Sequence, residues 1–174
     1  LACAMFTNDV SRDGLRHATD LPPLDLDDGL VELERLSLVN KKADRFSLLS
    51  LTRVFALAEL NTMPDFAQEA RSRWMAHLKS FYQEPQNEYH WRYSNFDFYQ
   101  DGENILEAVE WAYQEEKAED VFHLAVQGFY YLEFLGDWNR LIPLLQQALN
   151  LAELTGDKVY MARLANTLGS VFSE

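Results

Sequence analysis

The feature that most constrains the fold is a long stretch, residues 118–138, that is apolar on nearly every side. A helix that is apolar all round its axis cannot lie on a surface, because water would contact its apolar side chains. Neighbouring helices or a partner must therefore cover it. The dipeptide Gly136-Asp137 marks its end, since glycine favours a helix C-terminus. The sequence predicts a buried helix here, with other helices packed around it.

Two more helices follow this stretch. Residues 139–154 carry apolar side chains spaced by three and four, which predicts one buried stripe: Leu141, Leu144, Leu145, Ala148, Leu149 and Ala152. A second Gly-Asp pair, Gly156-Asp157, ends this helix. The third helix places Gly169 among Ala165, Leu168 and Phe172, an order that the surroundings of Gly128 share in part. A repeat of this kind indicates a solenoid of helical hairpins, and a plain helical bundle is the alternative.

Composition limits the classes of partner. The 174 residues are 48% hydrophobic, which is enough for one or two domains with sizeable cores. The net charge of −13 repels phosphate backbones and anionic membranes, so nucleic acid is an unlikely partner and no membrane is expected. The single cysteine, Cys3, excludes an internal disulfide and favours a cytoplasmic location.

The first 61 residues have the element order of a winged helix. Residues 1–6 are interpreted as the end of a helix, and helices are predicted over 11–18 and 24–36. Two short apolar runs around the polar turn Lys41 to Asp44 then predict a β-hairpin. We expect a winged-helix domain over 1–61 that is truncated at its N-terminus.

A winged helix often binds DNA, so a DNA-binding transcriptional regulator is the alternative function. Its third helix would have to approach phosphates. Between Asp25 and Arg35 that helix carries five acidic residues and one basic residue. Affinity for DNA depends largely on cationic contacts, and this balance argues against the alternative.

Residues 62–101 are predicted to connect two domains. A helix begins near Thr62 and Pro64 and runs to about Tyr82. An aromatic-rich segment over 89–99 follows it. Filling a gap between helical layers is favoured for this segment over a partner site, because each aromatic side chain can bury a large area.

Three segments resemble one family, the bacterial signalling NTPases of the STAND class, which includes the NB-ARC regulators. Residues 30–56 resemble the winged helix that follows their nucleotide-binding domain. The helix from Gly102 resembles the first helix of their repeat domain, through these matches: Asn104, Ile105, Ala108, Val109, Trp111 and Ala112. Residues 166–172 resemble the opening helix of a tetratricopeptide repeat. The resemblance implies a mainly α fold, in which the winged helix precedes an α-solenoid of tetratricopeptide-like hairpins over 102–174, truncated at its C-terminus.

This resemblance also implies a function. In the family, a histidine of the winged helix contacts the phosphates of bound ADP, and Leu49 occupies that position here. A leucine side chain cannot donate a hydrogen bond. Ser50 offers a hydroxyl, although an N-cap for the helix that runs to Leu60 is its favoured role. The resemblance implies that ADP or ATP binds an upstream domain of the parent protein, on which the winged helix packs, while the repeats sense a protein or small-molecule ligand.

The partner-binding groove of such a solenoid is expected on the first helix of each repeat. Projection of that groove onto this chain gives these candidates: Phe122, Ala125, Phe129, Leu132 and Glu133. No catalytic residue, cofactor or metal ligand is predicted, since the four histidines lie far apart and the chain lacks a Gly-rich phosphate loop. We therefore expect a non-catalytic regulatory module, with any ATPase activity in the parent. Assembly into homo-oligomers is left open.

Overall fold

The computed structural model describes residues 1–81 and 96–172, which belong to two compact units, 1–81 and 82–174. Both described ranges are mainly helical, and the first also contains a small three-stranded antiparallel sheet. The predicted mainly α class is confirmed. The division of the chain differs from the boundaries predicted at residues 61 and 101, because the helix expected to connect two domains lies within the first unit.

The first unit alternates short helices with short strands. Its elements are the 3₁₀ helix Ala2–Met5, β1 Val10–Ser11, α1 Arg12–Thr19, α2 Pro23–Arg35, β2 Val39–Lys42, β3 Arg45–Leu48, α3 Ser50–Leu60 and α4 Pro64–Ser80. The predicted helices and hairpin are present. Strand β1 was not predicted, because two residues are too short to show the alternation that marks a strand.

The sheet has the order β1-β3-β2. Val10 pairs with Phe46 across β1 and β3, while Lys42 pairs with Arg45 beside the hairpin turn. The turn is therefore two residues long, and not the predicted four. Ala43 adopts a left-handed φ of 54° within it. Lys41 and Lys42 lie in strand β2 because their backbones pair with β3.

Helix α4 belongs to the core of the first unit because it packs along α1. Trp74 of α4 meets the ring of Phe6 edge-on, with centroids 5.1 Å apart. The Arg73 guanidinium donates to the carbonyl of Ala18 over 3.2 Å. Met63 occupies the N-cap position of α4, and the Thr62 hydroxyl donates to the Glu59 carbonyl at the end of the preceding helix.

The second unit is a series of helices joined by short turns. Its described elements are α5 Phe96–Gln100, α6 Gly102–Gln114, α7 Ala118–Leu135, α8 Trp138–Thr155 and α9 Lys158–Val171. From α6 onward, each helix packs against the next in the chain. Most of the aromatic segment predicted over 89–99 lies outside the described residues. Of its members, Phe98 is buried and Tyr99 packs on Phe134.

Two Gly-Asp pairs form the turns on either side of α8. Gly136 and Gly156 have φ of 68° and 72°, a left-handed conformation that residues with a Cβ rarely adopt. Asp137 then caps α8 by accepting the backbone N–H of Arg140. Asp157 caps α9 in the same way. Each pair ends one helix and begins the next, which confirms the helix ends predicted at these positions.

The start of α6 is fixed against α7 by a close contact. A Cβ added to Gly102 would lie 2.1 Å from Cδ2 of Tyr131. The Tyr131 hydroxyl donates to Glu103 over 3.0 Å, and Arg140 donates to both oxygens of the same carboxylate. Burial, together with the Glu103 carboxylate, raises the pKa of Tyr131 to about 12. The ring of Tyr131 is therefore held at both ends and cannot easily move away from α6.

We expect Gly102→Ala to destabilise the chain by about 1–3 kcal/mol, because the new methyl group overlaps a ring that is fixed in place. Gly169→Ala is the matched control, since no heavy atom lies within 4 Å of a Cβ there. In a helix this control should be neutral or stabilising by up to about 1 kcal/mol. Urea unfolding followed by circular dichroism measures both. Equal stabilities for the two variants would contradict the contact.

Within the described residues, no helix is both long and apolar enough to span a membrane.

Candidate functional site

The residues predicted to line a partner groove lie mostly in the core of the second unit. Phe122, Ala125 and Leu132 are exposed by 2% or less, and Phe129 by 8%. Glu133 alone among these five is partly exposed. The structure does not bring these side chains together on an open surface. Partner binding through them stays a prediction.

Their neighbours in the sequence line an open cleft between α7 and α9. The cleft has a volume of about 460 Å³. Its lining residues are His123, Val126, Tyr130, Tyr160, Arg163, Asn166 and Thr167. Three of them directly follow the predicted Phe122, Ala125 and Phe129. A step of one residue rotates a side chain by about 100° around a helix, so the predicted residues face the core where their neighbours face the cleft.

The wall of the cleft is positioned by contacts with the core. The Tyr160 ring packs on buried Phe122, with centroids 4.4 Å apart and planes tilted by 31°. The Tyr160 hydroxyl lies 3.0 Å from Nε2 of His123, within hydrogen-bonding distance. These contacts link α9 to α7. They also fix two polar groups at the edge of the cleft.

The electrostatics of the cleft differ from those of the whole chain. Arg163 contributes a cation, and none of the seven lining residues is acidic. Helix α9 contains Lys158 and Arg163 but no Asp or Glu. The chain as a whole carries a net charge of −13. The cleft therefore attracts an anionic group, whereas most of the protein surface is acidic and repels it.

The sequence carries a signal for this cleft that the expected groove does not include. Tyr160, Arg163 and Thr167 recur at spacings of three and four along α9, so they share one face. His123 and Tyr130 are seven residues apart on the otherwise apolar α7. Polar groups at such spacing mark the side of a buried helix that is left uncovered. The predicted groove residues came from projecting a family pattern onto a nearly uniform apolar helix, which carries little information on the side that faces the cleft.

The predicted nucleotide-sensing residues lie at the start of α3 in the first unit. Leu49 occupies the N-cap position with φ −62° and ψ 144°, and its side chain makes no capping hydrogen bond. Ser50 is the first helical residue, so its predicted role as N-cap is wrong. The helix begins one residue earlier than that role requires, because Leu49, with its extended backbone, occupies the N-cap position. Contact with a nucleotide at this point stays a prediction.

Helix α3 presents an apolar surface to solvent. Leu51, Val54 and Phe55 lie at helical spacing, and their exposed fractions are 69%, 63% and 69%. Leu49, the N-cap residue of the same helix, is 42% exposed. Apolar side chains grouped in this way are typical of surfaces that contact another protein domain.

The exposed side of α2 is acidic. Asp25, Asp28 and Glu34 are exposed, while Asp27 forms an ion pair with Arg12 through two contacts of 2.6 Å. The hydrogen bond from Arg12 holds the pKa of Asp27 below its ordinary value, so this carboxylate stays ionised at neutral pH. The arrangement gives no reason to revise the expectation that nucleic acid is an unlikely partner, which stays a prediction.

Two other groups relevant to chemistry lie in the first unit. Burial raises the pKa of the Cys3 thiol, which keeps it protonated at neutral pH. His17 and His77, which lie far apart in the sequence, stack with ring centroids 4.3 Å apart and Asp13 beside them. The distance along the chain had suggested that no histidines form a ligand set, but tertiary packing brings these two together.

Comparison of the chain with protein-family models, with curated proteins and with solved structures finds no significant match in any of the three.

We expect Phe129→Ala to lower the free energy of unfolding by about 3–5 kcal/mol, because it removes a ring from the core. The matched change in the cleft, Val126→Ala, should cost about 1 kcal/mol or less, because Val126 is partly exposed and only two methyl groups are lost. Urea unfolding measures both values. A Phe129→Ala variant as stable as Val126→Ala would contradict the burial of Phe129.

Proposed function

We propose that this chain is a non-catalytic interaction module, in which the second unit binds a partner in the cleft between α7 and α9. The cleft supports this more than any other feature, because it joins an open volume to convergent polar and aromatic groups from two helices. Tyr130, Tyr160 and Arg163 are of the residue types that contribute most to protein interfaces.

The helical arrangement supports a tetratricopeptide-like solenoid. Helices α6 to α9 are joined by short turns, and each packs against the next along the chain. Repeat proteins share this local pattern of contacts, and their concave surface is a common binding site. Gly128 of α7 lies close to Leu106 of α6 and Leu144 of α8, with 3.0 and 2.9 Å from an added Cβ. A small residue at this point lets the three helices approach one another.

The chemistry of the cleft favours a peptide that carries a carboxylate. Arg163 can form charge-assisted hydrogen bonds with a carboxylate. Asn166 and Thr167 add uncharged hydrogen-bonding groups from the same helix. The apolar and aromatic side chains of Val126 and Tyr130 line the opposite side. We therefore propose an acidic or C-terminal peptide segment as the ligand of the cleft.

Peptides displayed on phage and selected on the full chain should be enriched in Asp, Glu or a free C-terminal carboxylate. A synthetic copy of an enriched peptide should bind Arg163→Gln at least about ten-fold more weakly, since a hydrogen bond to a charged group contributes about 1.5–3 kcal/mol. Fluorescence anisotropy measures the affinity.

The matched control is Lys158→Gln, which removes the same charge from an exposed position of α9 outside the cleft. It should leave peptide affinity nearly unchanged. Equal losses for both variants would indicate general attraction to a basic helix and would contradict binding in the cleft. Enrichment of neutral or basic peptides would contradict the ligand chemistry.

We also propose that the first unit is a winged helix from a STAND-class signalling NTPase. Its order of 3₁₀ helix, β1, α1, α2, β2 and β3, with the sheet order β1-β3-β2, supports this. The exposed apolar face of α3, formed by Leu51, Val54 and Phe55, suits contact with a neighbouring domain. We propose that an upstream nucleotide-binding domain of the parent protein covers this face, and that ADP or ATP binds that domain.

Full-length parent protein, purified gently and then denatured, should release about one ADP or ATP per chain, as the proposed switch holds its nucleotide when folded. Chromatography of the supernatant measures the amount. A folded parent protein without bound nucleotide would contradict the STAND proposal, while the peptide-binding proposal for the cleft would stand independently.

A further inference from the structure

Three side chains of the kinds that bind metal ions meet between α1 and α4. Asp13 and His17 lie one helical turn apart on α1, and His77 comes from α4. Oδ2 of Asp13 is 3.5 Å from Nε2 of His17 and 4.0 Å from Nε2 of His77. The ligand atoms of the three residues all lie within 4.8 Å of one another. Two ligands one turn apart on a helix share a face, which is a common way to build a metal site.

The folded core, and not a loop, positions these side chains. The bond from Arg73 to the Ala18 carbonyl ties α4 to α1. His77 is 8% exposed and packs against the edge of Phe81, with centroids 4.8 Å apart. Gly14 fits closely against β1, since an added Cβ would lie 3.0 Å from Cγ2 of Val10, and it lies beside His77, with 3.9 Å from that Cβ to Nε2. A site on two packed helices holds its ligands near the required geometry.

The distances suit a small transition metal. Zinc bonds of about 2.0 Å place two ligand atoms of a tetrahedral site about 3.3 Å apart. The distances of 3.5 and 4.0 Å from Asp13 to the two histidines are close to this value. Because the two imidazole rings stack with planes 16° apart, one ring must turn so that its Nε2 lone pair faces the ion. Two imidazoles and one carboxylate favour zinc over magnesium or calcium, which prefer oxygen ligands.

A fourth ligand can reach the cluster from solvent. His17 and His77 border an open cleft of about 380 Å³, which Arg16, Arg73 and Ser80 also line. Zinc sites with three protein ligands keep their fourth position for water or another small ligand. The cleft supplies the space for it.

Arg16 places a positive charge beside the cluster of Asp13, His17 and His77. Its guanidinium donates to Oδ1 of Asp13 over 2.8 Å and lies 2.9 Å from Nε2 of His17. The Arg16 side chain is 40% exposed, so it can move into water and leave its place to a metal ion.

We propose that Asp13, His17 and His77 bind one zinc ion, with water as the fourth ligand. The ion joins α1 to α4 and so stabilises the first unit, because a ligand that binds only the folded chain shifts the equilibrium towards it.

The test uses the full chain after removal of metals with a chelator. Calorimetric titration with zinc sulfate should show one ion per chain, and zinc should raise the melting temperature. Cobalt(II), added in place of zinc, should give the intense visible absorption of a tetrahedral complex. Absence of zinc binding to the folded chain would overturn the proposal.

Two substitutions at exposed or half-exposed positions, His17→Gln and Asp13→Asn, should each weaken zinc binding by more than about ten-fold, the smallest loss typical of a second-shell change. His123→Gln is the matched control, since it removes a histidine from the second unit and should leave zinc affinity unchanged. His77→Gln should also abolish binding if circular dichroism shows it folded. If His17→Gln and Asp13→Asn bind zinc as tightly as His123→Gln does, the site is not formed by these residues.

Discussion

The burial of α7 is the constraint on which the second unit depends. Phe122 and Leu124 are exposed by 2% and 0%, although their side chains lie about 160° apart around the helix axis. An isolated helix of this kind would expose apolar surface in every direction, so its stability has to come from packing. Helices α6 and α8 supply most of that cover, and Tyr160 of α9 adds a ring against Phe122. The uncovered remainder of α7 becomes one wall of the cleft.

The cleft and the cluster of Asp13, His17 and His77 arise from the same physical cause in two different units. In each, a pair of helices that is not closed completely leaves polar groups from both helices next to an opening. His123 faces Tyr160 in one case, and His17 faces His77 in the other. His123 and His17 keep partial access to solvent at these openings, so a ligand can reach them, whereas His77 is buried.

Much of the local structure could be predicted from the sequence, because it depends on interactions between residues close in the chain. Gly136-Asp137 shows this most clearly, since only a glycine readily takes the left-handed conformation and the next aspartate caps the following helix. The hairpin was predicted, but its turn was predicted to be two residues too long. Lys41 and Lys42 are polar and were therefore assigned to the turn, although they lie in strand β2. Pairing with β3, a property of the sheet, decides their conformation.

The sequence by itself determined most of the helical segments, although not α5, and it also determined where the Gly-Asp turns lie and that α7 must be buried. Only the tertiary structure decided which side of α7 meets solvent, because a nearly uniform apolar helix carries little information on its orientation. His123, and not Phe122, lines the cleft because of the way in which α9 packs beside α7. The meeting of His17 and His77 was likewise decided by packing, since 60 residues of chain separate them and only the contact of α1 with α4 brings the rings together.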